Sequence, residues 1–487
     1  MQSPYSHSDA KLLLSCVWYL AIPNFIFLAG WVKPSLAFIS ITLLGFVLCW
    51  ETQKNLCQKP PSMKNEKYSL FYLAVFFLIF CFWTGISGIG GFGYQNTDYE
   101  ASNALFHDLI TKDWPLQYEY QGKSYFLVYY FAYYLPAALV GKILGWHAAN
   151  YAIFLWSFFG IWLAFMLFVR LVDAQKYFAI FAAFAFCLLG GLDIVGKIGM
   201  DAFPPWGEHI ERWSVYFQYS SQSTLLFWVP QQAIAGWILA GVSFFYFTKS
   251  ACPRLLCLCC VLSILFSPFS LVGLFPYFIL QMIQYLRSQG IKPLCTLSNL
   301  IACPLLCFIF GSFILSNPLS FPKEFMYHRH EFLNQYFSFI LFEVMPLGIL
   351  YYWLLYPREK QHRVWFWTTI SILLILPWIR VGFSNDLVRR ASIPALFFLY
   401  VFFLRTIQHS QGRKKVVRAI LFFGFLLATS ASLFEITRSF QNFSFSPPEE
   451  KNIKTHLDLP HRDIKQRMGD PQSLFFQFLA RPKKSQK

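Results

Sequence analysis

A chain of 487 residues of which 56% are hydrophobic, 20% aromatic and only 13% charged is too apolar to be a soluble enzyme of this size. Together with a mean hydropathy of +0.45, this composition indicates a polytopic membrane protein. The formal net charge of +16 fits contact with anionic lipid head groups, and nothing in the sequence suggests a nucleic-acid partner.

Apolar stretches recur along the whole chain, and a transmembrane helix needs about 20 mainly apolar residues. The sequence therefore predicts an all-α integral membrane protein with about 11–13 transmembrane helices, which together fill a domain over residues 1–434. In chain order we expect spans at 12–31, 34–50, 68–89, 125–145, 151–169, 178–196, 224–247, a broken pair at 255–268 and 269–286, 293–315, 336–356, 364–379, 392–404 and 417–433. No cleavage site follows the first stretch, which predicts a retained span.

The basic connections orient the chain, because cytoplasmic loops retain Lys and Arg. The segments 51–67 and 405–418 are the most basic, and smaller basic turns lie at 249–254, 287–292 and 358–363. Counting spans between them predicts a cytoplasmic N-terminus. It also places on the opposite face four loops and a polar tail: 91–124, 199–223, 316–335, 380–391 and 435–487. Three apolar segments lie between 125 and 197 although both flanking loops belong to the outer face. One of the three is therefore not a full span, and the sequence leaves open which.

The first outer loop gathers acidic residues in the stretch YQNTDYEASNALFHDLITKDWPLQY, residues 94–118. Asp98 is a good N-cap residue and predicts a helix over 99–112. At about 100° per residue, the apolar side chains fall on one face of this helix. The polar residues fall on the other face: Glu100, Asn103, His107, Asp108 and Thr111. The pattern predicts an amphipathic juxtamembrane helix lying on the membrane, and the alternative is a solvated loop in which Asp98 is only a cap.

The other outer loops contribute basic side chains. These are His209 in 199–223, His328, Arg329 and His330 in 316–335, and Arg389 and Arg390 in 380–391. An arginine at membrane depth on the outer side usually meets an anion or a carboxylate, and its planar guanidinium suits phosphate. Two alternatives stay open. The paired arginines could be snorkelling anchors, and the two histidines could bind a metal instead of facing a phosphate.

The order of these features resembles the GT-C superfamily of membrane glycosyltransferases: an outer loop with an early acid in YQNTDYE (94–100), an amphipathic juxtamembrane helix and about a dozen spans. The segments 217–237 and 384–397 also resemble stretches of uncharacterised bacterial polytopic proteins. GT-C enzymes take a sugar from a polyprenyl-phosphate carrier at the outer face, and an Asp or Glu of the first large outer loop is catalytic. Here two spans precede the one that leads into the acidic loop, whereas in many relatives the first span leads into it directly.

The resemblance implies a glycosyltransferase with a polyprenyl-phosphate-sugar donor and a lipid, glycan or protein acceptor. Such a reaction needs a base for the attacking hydroxyl and cations for the phosphate. We expect Asp98 to be the base, with Glu100 in reserve. The expected phosphate-binding residues are Arg389, Arg390, Arg329, His328 and His330, and the expected supporting residues are His107, Asp108 and His209. No cofactor is expected, and a divalent metal is left open.

Two other classes of protein share parts of this pattern. A transporter or lipid flippase would also have many spans, but transporters often carry repeats with ionisable groups near the midplane, and no repeat is visible here. An O-antigen polymerase or ligase would share the lipid-linked donor and depend on outer-loop arginine. For the glycosyltransferase, we expect a bacterial inner membrane and an extracytoplasmic active site.

Overall fold

The structure is a computed structural model that describes residues 6–57, 68–200, 203–249, 252–318, 322–382, 384–410 and 414–482. In its first part the helices are α1 His7–Trp31, α2 Pro34–Cys57, α3 Leu70–Gly85, α4 Asp98–Thr111, α5 Leu135–Val172, α6 Lys176–Leu188, α7 Asp193–Met200, α8 Gln222–Trp228, α9 Pro230–Thr248 and α10 Arg254–Leu262. In its second part they are α11 Pro268–Gln289, α12 Cys303–Leu315, α13 Phe332–Glu343, α14 Met345–Leu354, α15 Arg363–Ile375, α16 Asp386–Gln408, α17 Lys415–Ala428, α18 Ser430–Gln441 and α19 His461–Lys465.

Five short strands complete the fold. They are β1 Gln117–Tyr120, β2 Lys123–Leu127, β3 Lys323–Phe325, β4 Ile379–Val381 and β5 Met468–Gly469. The first two form an antiparallel hairpin, to which β5 adds a third antiparallel strand. The other two pair with each other, so that the loops 316–335 and 380–391 are joined.

The all-α membrane prediction is confirmed. Among the described residues, seven helices are long and apolar enough to cross a membrane, or nine if each of two bent pairs counts as one span. The bent pairs are α6 with α7, at 42°, and α13 with α14, at 49°. Other predicted spans are shorter helices or pieces of helices. For example, the predicted span 224–247 is divided at Pro230, which starts α9 because proline is well tolerated in a first helical turn.

The structure answers which segment between 125 and 197 is not a full span. Residues 125–145 hold the end of β2, a turn, and the first part of α5, which is interrupted at Gly145 with a φ of 83°. The helical part before this glycine is about 15 Å long at 1.5 Å per residue, too short for a hydrocarbon core of about 30 Å. The rest of α5 and the bent pair α6–α7 then make two passes, which returns the chain to the same end.

Contacts gather the predicted outer segments at one end of the molecule, called the loop end here. Asn96 donates to the carbonyl of Phe227 at 2.7 Å, and Asn385 donates to the carbonyl of Tyr216 at 3.1 Å. The tail joins them, because the Asn317 side chain donates to the carbonyl of Gln466 at 2.6 Å.

The tail is folded onto the rest of the chain. Its predicted boundary at 434/435 lies inside α18, so the polar segment begins only after Gln441. Further on, the ring of Phe475 packs 5.2 Å from that of Phe313 in α12, and the ring of Phe476 stacks 4.1 Å from that of Phe126 in β2. Each buried aromatic side chain contributes about 1.5–3 kcal/mol, which is enough to hold a tail segment in place.

Described residues in or next to two of the predicted cytoplasmic segments meet at the opposite end, called the basic end here. Tyr68 donates to the carbonyl of Ala174 at 2.7 Å, and Gln408 donates to that of Asp173 at 3.0 Å. Much of the basic charge from which the orientation was predicted lies outside the described residues, including Lys59, Lys64, Lys67 and Arg413.

A buried ionic cluster at the basic end centres on Glu359, between α14 and α15. Arg405 binds its Oε1 through Nε at 2.9 Å and through Nη2, while His362 Nδ1 and the Tyr351 hydroxyl lie 3.0 and 3.2 Å from Oε2. Burial acts to raise the pKa of Glu359, but the hydrogen bonds from His362 and Arg405 outweigh it and lower the pKa to about 2.

We expect Glu359→Gln to lower stability by about 3–5 kcal/mol, because it leaves Arg405 buried without its counter-charge. A carboxylate with a lowered pKa stabilises the fold above its unfolded pKa near 4.5 and loses this contribution as the pH falls towards 2. The apparent melting temperature of the wild type should therefore fall more steeply over this range than that of Glu359→Gln. The exposed Glu449→Gln serves as the control, and equal slopes for wild type and Glu359→Gln would contradict the assignment.

Candidate functional site

Helix α4 begins at the acid that the sequence singled out. Asp98 is the first residue of the helix, and its N–H donates to Oδ1 of Asn96 at 2.9 Å. The prediction that Asp98 is the N-cap is therefore wrong, because Asn96 supplies the side-chain bond to this helix start. The Asp98 side chain is exposed, and it makes no hydrogen bond or ion pair in the part of the chain that the structure describes. Its carboxylate is thus available to a substrate.

The two faces of α4 are nearly as predicted. Tyr99, Leu105, Phe106 and Leu109 are buried, while Glu100 is exposed. Asp108 is the exception, since its side chain is fully buried. The periodicity placed it on the polar face because pattern alone does not show that the tail covers this part of the helix.

The tail crosses the polar face of α4 through a series of polar contacts. Glu100 pairs with Lys454, and His107 Nε2 lies 3.4 Å from Glu450 Oε1. Asp108 Oδ2 accepts from the Tyr118 hydroxyl at 2.7 Å and from the His456 backbone N–H at 3.0 Å, and its Oδ1 pairs with Lys112 at 3.0 Å. The tail is therefore held against α4 by contacts with Glu100, His107 and Asp108.

Two groups beside Asp108 are kept neutral by their surroundings. Burial, together with the charge of Asp108, raises the pKa of Tyr118, so its hydroxyl remains a donor. Burial, and then the positive charges of Arg467 and Lys112, lowers the pKa of His456 to about 3. The tail is therefore fastened to Asp108 by the hydroxyl of Tyr118 and by the backbone of a neutral His456.

We expect Asp108→Asn to loosen the tail, because the amide cannot accept the same set of bonds and leaves Lys112 without its partner. A loss of about 1–3 kcal/mol in local stability should raise amide hydrogen exchange at 455–470. The exposed Asp113→Asn is the matched control on the same segment. Unchanged protection of the tail in Asp108→Asn would remove this role.

Two arginines lie at the start of α16, which begins at Asp386 as the Ser384-Asn385-Asp386 pattern predicts. Arg390 is only 8% exposed, and its Nε has no hydrogen-bond partner in the part of the chain that the structure describes. Arg389 is partly buried and interacts electrostatically with Arg390, Asp386, Arg212 and Asp98. The structure thus brings Asp98 and Arg389, which are far apart in sequence, into one neighbourhood at the loop end.

An apolar groove adjoins this neighbourhood. It is a cavity of about 230 Å³ whose apolar wall includes Pro268, Phe269, Val272 and Ile314, and whose polar edge includes Tyr129, Tyr130, Gly382 and Asp386. Arg390 and Asp386 both act electrostatically on the two tyrosines. The guanidinium of Arg467 lies 4.5 Å from the ring of Tyr129. The positive charges of Arg390 and Arg467 therefore act on the tyrosines at the polar edge of this groove, whose lining also includes the acidic Asp386.

His209 lies in a separate ionic cluster near this region. Its Nδ1 is 2.5 Å from Glu435 Oε1, and Glu435 Oε2 accepts from the Trp228 indole at 3.0 Å and pairs with Arg438. The ring of Trp228 is also 5.9 Å from the guanidinium of Arg212. Trp228 is therefore the aromatic side chain that joins His209 to the group around Arg389.

The predicted residues of the loop 316–335 have contacts within that loop. Arg329 makes a bidentate pair with Glu324 at 2.7 and 2.8 Å, and Arg380 binds the same carboxylate at 2.8 Å. Hydrogen bonding from Arg329, against a small opposing effect of burial, lowers the pKa of Glu324. His330 is 91% exposed on its side chain, and the ring of His328 lies 3.6 Å from that of Tyr327.

The sequence did not single out Asn96, Tyr129 or Tyr130 for the site. An Asn two residues before a helix start is a recognisable turn signal, which could have moved the N-cap from Asp98 to Thr97. Nothing in the sequence distinguishes Tyr129 and Tyr130 from the other tyrosines of a chain that has 26. Among the described residues, no group of three or more His, Cys, Asp or Glu side chains is placed to hold a metal ion.

A larger cavity, about 550 Å³, lies at the other end of α4 and is lined by residues that include Lys112, Trp114, Lys142 and Arg481. The 14 residues of α4 separate it from Asp98 by about 21 Å. Its lysines are already engaged, since Lys142 donates to the carbonyl of Lys112 at 2.6 Å. The groove beside Arg390 is therefore the better candidate site.

Comparisons with known proteins give little additional information. No family model matches the chain, and no curated protein matches it. Among solved structures, a similarity is found to the archaeal oligosaccharyltransferase AglB from Archaeoglobus fulgidus, in complex with an inhibitory peptide and a dolichol-phosphate, with a TM-score of 0.31 and 14% identity. It covers 78% of this chain and 57% of the other. A TM-score this low carries no argument, so the proposals below depend on this chain's own residues.

Proposed function

We propose that this integral membrane protein is a glycosyltransferase that moves a sugar from a polyprenyl-phosphate-linked donor to an acceptor hydroxyl at the loop end. The observation that carries the proposal is the meeting of three features: the available carboxylate of Asp98, the Arg389–Arg390 pair, and the apolar groove beside Arg390. A lipid-linked sugar phosphate needs all three, because it has a hydrocarbon chain, an anionic group and a reacting carbon.

The hydrocarbon end of the donor would enter the groove between α11, α12 and the start of α16. Its first isoprene units would contact Val272 and Ile314, and the phosphate would lie at the polar edge beside Asp386 and Arg390. A buried guanidinium with an unpartnered Nε is able to bind an anion without first breaking an ion pair. Tyr129 and Tyr130 would donate hydrogen bonds to the same phosphate.

In the reaction, the acceptor hydroxyl attacks the anomeric carbon and gives its proton to Asp98. The bond from this carbon to the phosphate oxygen breaks, and polyprenyl phosphate leaves with the bonding electrons. Arg389 and Arg390 stabilise the charge that grows on the leaving oxygen. Glu100, which is bound to Lys454, would contribute through the tail rather than as the base.

We also propose that the loop end faces the extracytoplasmic side of a bacterial inner membrane, with the N-terminus in the cytoplasm. The support is the basic character of the segments 51–67 and 405–418 in the sequence. Tyr68, which follows the first segment, and Gln408, in the second, lie at the opposite end. The acceptor would be a lipid, a glycan or a protein that reaches the loop end from that side.

The experiment is transfer of a radiolabelled sugar from a synthetic polyprenyl-phosphate donor in membranes that contain the overexpressed protein. We expect labelled product and free polyprenyl phosphate above the level of membranes from cells with an empty vector. Transfer from a nucleotide sugar but not from the lipid-linked donor would contradict the proposal.

A further inference from the structure

A group of acidic side chains lies inside the helical body, away from the groove. Asp193 is the first residue of α7, Glu343 is the last residue of α13, and Glu211 lies in a short turn of helix at Ile210–Arg212. Each is 1% exposed. Three acidic side chains at this depth need an explanation, because ionised carboxyl groups are costly to bury in an apolar surrounding.

Glu211 is satisfied by donors, whereas the other two acids are not. The carboxylate of Glu211 accepts from Gln218, from the backbone N–H of Ser221 and from Thr224, at 2.6–2.8 Å. Asp193 accepts one bond through Oδ1, from the Trp213 indole at 3.2 Å. Its Oδ2 and both oxygens of Glu343 have no donor among the described residues.

The unsatisfied carboxyl groups of Asp193 and Glu343 face each other and interact directly. Two ionised carboxylates are acceptors only, so they form a hydrogen bond only if one of them carries a proton. The hydroxyl of Tyr400 in α16 adds an independent observation. Tyr400 is 1% exposed, its hydroxyl has no partner, and it interacts electrostatically with all three acids.

The backbone around Asp193 and Glu343 allows the two acids to approach each other closely. Asp193 and Glu343 each lie at the break of a bent helix pair, and the two breaks are joined by a bond from the Leu192 N–H to the Phe342 carbonyl at 3.1 Å. A Cβ at Gly191 would lie 1.7 Å from Glu343 Oε2, so only glycine leaves room for this carboxyl group. Acids at the breaks of discontinuous membrane helices commonly bind protons or small cations.

We propose that Asp193 and Glu343 form a proton-binding site, in which one carboxyl group carries a proton and donates it to the other. Tyr400 is the third member and reaches the pair from α16. A proton is favoured over a metal ion, because no group of three or more acidic, His or Cys ligands among the described residues is placed for one. This site is independent of the proposed glycosyl transfer.

The charged and titratable groups that face the pair offer no alternative cation. Glu211 and Tyr219 come from 210–219, and Tyr400 comes from α16. Lys197, one turn beyond Asp193, is bound to Glu208 at 3.0 Å. The folded state must therefore hold a proton that an acid in the unfolded chain releases above a pH of about 4.3.

The test uses the purified full-length protein in detergent. Infrared spectroscopy at neutral pH should detect the carbonyl stretch of a protonated carboxyl group, which shifts in D₂O. The band should be lost in the double variant Asp193→Asn/Glu343→Gln and retained in Glu119→Gln, a control with an exposed side chain. Absence of the band in the wild type, or its persistence in the double variant, would overturn the proposal.

A second measurement keeps the proposal testable if the double variant does not fold. The melting temperature of the wild type should fall as the pH rises above about 4.3, because the folded state then holds a proton that the unfolded chain has released, and Glu343→Gln should reduce this slope. Tyr400→Phe should keep the infrared band and shift its position. Equal slopes, or stabilisation at high pH by Na⁺ but not by choline, would contradict a proton site.

Discussion

Asp98→Asn should lower sugar transfer from the polyprenyl-phosphate donor by about 100-fold or more, while the protein remains folded. The size of the effect is that of a lost general base. The fold should be kept because Asn96, and not Asp98, supplies the bond to the start of α4, and the Asp98 side chain makes no bond to another described residue. Transfer should be measured in membranes at matched amounts of protein.

Two variants of the same helix region make this result interpretable. Asp113→Asn removes an exposed acid at the far end of α4 and should leave transfer within about twofold, since surface substitutions have small effects. Glu100→Gln removes the pair with Lys454 and should lower transfer less than Asp98→Asn. Full activity of Asp98→Asn would exclude it as the base, and an inactive Glu100→Gln beside it would move that role by two residues.

Arg389→Lys should weaken use of the donor by about tenfold, which corresponds to about 1.4 kcal/mol, and the loss should appear mainly in the apparent KM for the lipid-linked sugar. Lysine keeps the positive charge near Asp98 and Asp386 but loses the planar pair of donors that suits phosphate. If Arg389 were only a membrane anchor, lysine would replace it without loss, because both side chains snorkel.

The control for this substitution is Arg418→Lys. Arg418 is exposed near the start of α17, at the basic end of the molecule. Its replacement should not change the apparent KM. An equal response of both positions would show that the assay reports general basic charge and would contradict a specific phosphate contact at Arg389.

Much of the helical architecture follows from hydrophobicity alone. Lipid requires every backbone polar group to be paired within a helix, so long apolar segments become helices with little ambiguity. The breaks within them were harder to predict. The Gly145 interruption depends on a positive φ, and the bends at Gly190–Gly191 and at Glu343 depend on packing between distant segments. The same residues in isolation are compatible with continuous spans.

The candidate site could likewise be predicted only in part from the sequence. Asp98 and Arg389 could be selected from sequence because a charged residue next to an apolar segment is uncommon. Their meeting could not be derived, because it depends on how α4 and α16 pack at the loop end. The contacts of Asp108 and Arg329 could not be predicted either. Asp108 binds His456, which is 348 residues away, and Arg329 binds Glu324. The buried pair Asp193–Glu343 was missed because each acid is a single charge within a segment predicted as a span.

The most direct test of the central claim is photolabelling of the purified protein with a polyprenyl phosphate that carries a photoreactive group in its first isoprene units. We predict labelled peptides from the groove, around 128–130, 268–272 and 314, with protection by unlabelled polyprenyl phosphate. The double variant Arg389→Ala/Arg390→Ala should lose most of this labelling. Labelling that maps to other helices, or that is unchanged in the double variant, would contradict a lipid-phosphate site between Asp98 and the two arginines.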